Sequence, residues 1–170
     1  YLLFTATVAD SQTNPVKSFP LSQVRIHESV FKQAQETDLR YMLSLEPDRL
    51  LAPFLREAGI SAKAPQYGNW EGTGLDGHIG GHYISALTNM YAATGNAEVL
   101  RRLNYMILWL DSCQQKNGNG YVAGIPGGKA MWEEVAAGKI DAGGFSLNKK
   151  WVPWYNIHKL YAGLLDAYTV

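Results

Sequence analysis

Cysteine is almost missing from this chain: Cys113 is the single one among 170 residues. One thiol excludes an intrachain disulfide, and it excludes a metal site built from the cysteines of this chain alone. An excess of either charge is also missing, because 15 Lys and Arg balance 15 Asp and Glu. That balance argues against nucleic acid or an anionic membrane as the main partner. No run of eighteen apolar residues occurs, so no segment reads as a membrane span. Three catalytic signatures are lacking as well: a phosphate loop ending in Lys-Ser or Lys-Thr, a Gly-x-Ser-x-Gly nucleophile elbow, and a His-Glu-x-x-His helix.

What the chain has is length for one domain with a real core, and many aromatic residues: five Trp and ten Tyr. Most of these serve packing, but aromatic faces also suit the apolar faces of sugars. The opening "YLLFTATVAD" has no initiator Met and resembles the tail of a secretory signal, with a frayed N-terminal strand as the alternative. Residues 1–18 are therefore set apart from a domain over 19–170. The abrupt finish at "DAYTV" leads to the expectation that the chain is a piece of something longer.

The hydrophobic pattern is helical along most of that domain. A short strand is predicted at Val24–His27, then a helix over Phe31–Leu45. A second helix begins near Pro47 and ends by Gly59, with a break or kink expected at Pro53. Residues 61–77 read as a loop, and the next helix runs from His78 to Thr94. Gly95 closes that helix and Asn96 caps the following one, which makes an antiparallel hairpin. Within the hairpin the first helix is apolar on nearly every side and is expected to be buried all round. The second carries one apolar stripe through Val99, Leu103, Met106 and Leu110, so one face meets solvent. Residues 116–151 form a long glycine-rich excursion with one short helix near Lys129–Ala137 and an aromatic rim. A last helix, apolar on most faces, starts at Pro153.

The first hairpin helix and the last helix repeat one pattern. His82 and Ala86 fall on His158 and Ala162, with Ile84 on Leu160. Buried, half-exposed, buried is the order of a toroid of helical hairpins, in which inner helices run parallel and gather their N-termini at one end. Two imidazoles from separate inner helices then face one cavity. Core packing is the competing account of each histidine taken singly. The spacing His78-x-x-x-His82 also fits a metal pair, for which Glu71 and Asp76 are the nearest further ligands.

Three stretches, "YGNWEGTGLDGHIGGHYISALTNMYAATGN", "CQQKNGNGYVAGIPGGKAMWEEV" and "KWVPWYNIHKLYAGLLDAY", resemble the N-terminal part of bacterial β-L-arabinofuranosidases. "FPLSQVRI" and "LRYMLSLEPDRLLAPFLREAG" fit the same family, so the resemblance covers about residues 19–170. It implies an all-α fold, here part of an (α/α)6 barrel. It also implies retaining hydrolysis, in which a zinc-bound cysteine thiolate attacks the anomeric carbon and a glutamate is acid/base. Both groups lie later in the family's chain, so no catalytic or metal-binding residue is expected among these 170, and zinc is expected only in the full-length enzyme. Cys113 reads as a small buried residue. Gln35, His82 and His158 match the family's sugar contacts, and Trp70, Glu71, Asp76 and His78 are expected to line the same pocket. The implied partner is an arabinose-containing oligosaccharide or polysaccharide, met outside the cell or in the periplasm. A sugar-binding helical module without catalysis, and an (α/α)6 epimerase or lyase whose histidines move protons, remain as alternatives.

Overall fold

The computed structural model describes residues 16–170; the apolar opening segment lies outside the described residues. The first element is a 3-10 turn, Leu21–Gln23, and the strand expected at Val24–His27 does not form. Its backbone is engaged locally, with Gln23 N–H donating to the Pro20 carbonyl and Val24 N–H to that of Leu21. Helix α1 (Val30–Ser44) starts where the Ser29 hydroxyl accepts from Lys32 N–H, which satisfies one orphan donor of the first turn.

Helix α2 (Pro47–Glu57) has Pro47 in its first turn, Asp48 at its positive end and Arg56 at its negative end. It runs through Pro53, so the break allowed there does not occur. The six residues Leu50–Leu55 are buried in succession, and this packing outweighs one missing backbone bond. Helices α3 (His78–Thr94) and α4 (Ala97–Asn117) form the expected hairpin. Gly95 N–H donates to the Tyr91 carbonyl at 2.7 Å, and the Asn96 side chain accepts from Glu98 and Val99 N–H at 3.0 and 3.1 Å.

The glycine-rich excursion contains α5 (Gly128–Ala136) and a small antiparallel ribbon that the sequence pattern did not announce. Its strands are β1 (Ala142–Gly143), β2 (Ser146–Leu147) and β3 (Lys150–Trp151), in that spatial order. Helix α6 (Pro153–Thr169) closes the described chain. The main core joins Leu50, Leu51, Phe54 and Leu55 of α2 to Tyr83, Ile84 and Leu87 of α3, to Val99, Leu103, Met106 and Leu110 of α4, and to Leu160 of α6.

One crossing places the functional end of the molecule. A Cβ added to Gly81 would run into the backbone of Lys159 and Leu160, and one added to Gly163 would meet the Gly81 carbonyl and Ile84. Two bare backbones therefore touch where α3 meets α6. The contacts advance together along both chains, His78 beside Tyr155, Gly81 beside Leu160 and Ile84 beside Gly163, so the two helices run parallel. The Gly80-Gly81 pair thus lies inside α3 and serves helix packing. The tight corner belongs to Gly77, whose φ of +91° is the left-handed conformation glycine tolerates best. Helix α3 is also not buried all round: His82 and Asn89 are exposed and Ser85 is partly so, one stripe at helical spacing.

Candidate active site at the start of helices α3 and α6

The loop before α3 brings Glu71 under the helix. A 3-10 turn, Asn69–Gly72, aims its carboxylate at the first turn, where Gly77 and Ile79 N–H each donate to it at 2.8 Å. The negative charge thereby meets the positive end of the helix and satisfies two donors that the helix itself leaves open. The same carboxylate lies 2.9 Å from His78 Nδ1, which also stands 2.7 Å from the Leu75 carbonyl. Both neighbours of Nδ1 accept hydrogen bonds, so Nδ1 carries the proton and Nε2 is left for the site. Burial by itself lowers the pKa of His78. The Glu71 and Leu75 hydrogen bonds, with the charges of Glu71 and Asp76, outweigh it and raise the pKa above the usual 6.5.

Asp76 is equally committed to the protein. Its carboxylate accepts from Arg56 at 3.2 Å, from Gln66 at 3.1 Å and from Gly74 N–H at 3.1 Å. Arg56 also donates to the Gly124 carbonyl at 3.1 Å, and Asn156 Nδ2 donates to the Asp76 carbonyl at 2.8 Å. This network ties α2, the loop before α3, the glycine-rich excursion and α6 together. Glu71 and Asp76 are each 3% exposed, so the structure revises their expected place: they hold the site from beneath and do not line an open pocket.

The imidazoles gather above that floor. The His78 and His82 rings stand edge to face with centroids 6.1 Å apart, and Tyr155 lies 5.9 Å from His78. Lys159 Nζ sits 4.9 Å from the Tyr155 ring centroid. Desolvation, then the charges of Lys159, His78 and His158, lower the pKa of His82, against the opposing charge of Glu71. His82 is therefore neutral at pH 7, with one ring nitrogen to donate and one to accept, a pairing suited to a sugar hydroxyl. His82 and His158 are both exposed, each within the first two turns of its helix. Trp154 lies one turn before His158 and is exposed too. Trp70, also exposed, stacks on Trp151 with centroids 6.2 Å apart.

Gln35 is carried by α1. It is partly buried, and its side-chain oxygen accepts from Lys32 at 3.2 Å; among the described residues no hydrogen bond joins it to the imidazoles. A cavity of about 760 Å³ between α5 and the ribbon has Met131, Glu134, Lys139 and Asn148 in its walls and none of the expected site residues. The sequence repeat singled out His82 and His158, and both are exposed near the starts of α3 and α6. The repeat did not single out Tyr155 or Lys159, because the α3–α6 crossing brings them toward His78 and His82; the i,i+3 spacing of Tyr155 and His158 on one helix face was a usable signal.

A family model described as the catalytic domain of GH127 β-L-arabinofuranosidase matches residues 23–170. The chain belongs to the GH127 β-L-arabinofuranosidase family. No curated protein gives a significant match. GH127 proteins are glycoside hydrolases with a helical barrel, and the six helices described here agree with that all-α class. The chain is accordingly glycoside hydrolase in kind, of the arabinofuranosidase type, and its substrate is a carbohydrate. The described residues do not fit zinc. Cys113 is fully buried in α4, where burial pushes its thiol up to about 11, and among the described residues no three His, Cys, Asp or Glu side chains form a metal-holding group. No helix among the described residues is long and apolar enough to cross a membrane.

Proposed function

We propose that this chain supplies the sugar-binding half of a retaining β-L-arabinofuranosidase. The observation that carries the reading is the presentation of His82 and His158, both exposed, from the first turns of two parallel helices that touch backbone to backbone. His82 and His158 hydrogen-bond the arabinofuranose hydroxyls, and Gln35 contributes from α1. His78 lends Nε2 to the pocket edge, while Glu71 and Asp76 fix the loop that positions it. The thiolate nucleophile, its zinc and the glutamate acid/base come from residues other than these, since Cys113 is inert and both nearby carboxylates are engaged. Arabinose-containing plant glycans, met outside the cell or in the periplasm, are the substrates.

The test is a pair of assays on the purified chain. It binds methyl β-L-arabinofuranoside in preference to the α-anomer by titration calorimetry, and it releases no arabinose from an aryl β-L-arabinofuranoside. Turnover by metal-analysed, pure chain contradicts the assignment of the nucleophile to other residues. Equal binding of unrelated sugars points instead to a general sugar-binding module.

A further inference from the structure

Two tryptophans far apart in sequence meet beside the loop that leads into α3, and neither belongs to a hydrophobic core cluster among the described residues. Trp70 is 63% exposed and Trp151 is 42% exposed, with the ring planes inclined by 27°. A centroid separation of 6.2 Å greatly exceeds the contact thickness of stacked rings, roughly 3.5 to 4 Å, so the indoles are offset and each keeps open face. An exposed indole pair forgoes the burial that such large apolar rings otherwise gain, so packing does not explain the arrangement.

Both rings are nevertheless held in place. Trp70 directly precedes Glu71, whose carboxylate is fixed by three donors at the start of α3. Trp151 pairs with Ser146 across the ribbon and is followed by Val152, a branched residue at φ +42°, a conformation of the backbone that only surrounding structure sustains. The platform also adjoins the site: the Trp151 Cβ lies 3.9 Å from where a Cβ on Gly74 would stand, in the loop that carries Glu71 and His78.

We propose that Trp70 and Trp151 form a second sugar subsite, stacking the C–H face of the residue linked to the arabinofuranose held by His82 and His158. A sugar ring presents weakly positive C–H groups to the negative face of an indole, and two offset indoles offer a surface broad enough for one ring. The proposal rests on the arabinofuranoside reading of the imidazole site, and it adds that the enzyme recognises at least a disaccharide.

Titration of the chain with methyl β-L-arabinofuranoside and with a β-L-arabinofuranosyl disaccharide tests it. The disaccharide is expected to bind about tenfold more tightly, equivalent to about 1.4 kcal/mol. Trp70→Ala and Trp151→Ala each remove that gain; Trp151→Ala leaves monosaccharide affinity and Tm unchanged, while Trp151→Phe keeps part of it. Indole fluorescence shifts with the disaccharide only. A monosaccharide that binds with no disaccharide gain, or a gain that survives both alanine variants, overturns the subsite alone. Failure of the wild-type chain to bind either ligand removes the arabinofuranoside reading and the subsite with it. Variants that change only the mass of the particle in light scattering assign the platform to a protein contact and also overturn the proposal.

Discussion

At the residue scale the most consequential side chain is Glu71, which holds the start of α3 and the His78 imidazole together. Replacing it by Gln removes the charge from three hydrogen bonds, and the expected loss of stability is about 2 kcal/mol. The loss depends on pH. The folded pKa of His78 is raised above 6.5, so its contribution is fully present below about pH 6.5 and disappears as pH rises through the folded value. The stability gap between wild type and Glu71→Gln should therefore be wider at pH 6 than at pH 8. Chemical denaturation at both values checks this; a gap that widens with pH would mean His78 does not hold its proton on Glu71. The sequence showed that Glu71 and Asp76 stand near the histidines. It did not show which way they face, because burial of a carboxylate is decided by backbone donors such as Gly74, Gly77 and Ile79, which have no signature of their own in the sequence.

At the element scale, helix ends were legible where chemistry marks them. Pro47, Asn96, Gly95 and Pro153 each stand where the sequence placed a boundary. The ribbon was not legible, since three strands of two residues each have no period to read. The strand expected at Val24–His27 lacks a partner among the described residues, and alternation alone does not make a sheet. The purpose of the Gly80-Gly81 pair is not legible in the sequence, because the close approach of α6 to Gly81 is a tertiary event. Gly81→Ala is expected to destabilise the protein by about 1 to 3 kcal/mol through that crossing, as is Gly163→Ala. The two together should lose less than the sum, since one clash already separates the helices. Thermal melts of the three variants give the answer, and an unaffected Gly81→Ala protein contradicts the backbone contact.

At the scale of the whole molecule, α6 carries Trp154, Tyr161, Leu165 and Tyr168 on one exposed stripe that also holds His158. Apolar surface of this kind on a helix belongs against a neighbour or a ligand. The isolated chain should consequently bind a hydrophobic dye, and a monomer with a sharp unfolding transition and no dye binding counts against an open barrel segment. The expected order of buried, half-exposed and buried helices does not hold, since α3 and α6 each keep an exposed stripe; the all-α class was readable from sequence because helical periodicity runs along most of the chain. The central claim is that His158 on that stripe touches the sugar, and paired kinetics and melts of His158 variants in the active enzyme test it most directly. His158→Ala should reduce kcat/KM by about ten- to a hundredfold, roughly 1.5 to 3 kcal/mol, with little change in Tm, because an exposed imidazole has water as its partner when sugar is absent. His158→Gln, which keeps a donor, should recover part of the loss. A His158→Ala enzyme with full kcat/KM would contradict the account, whatever happened to its melting temperature.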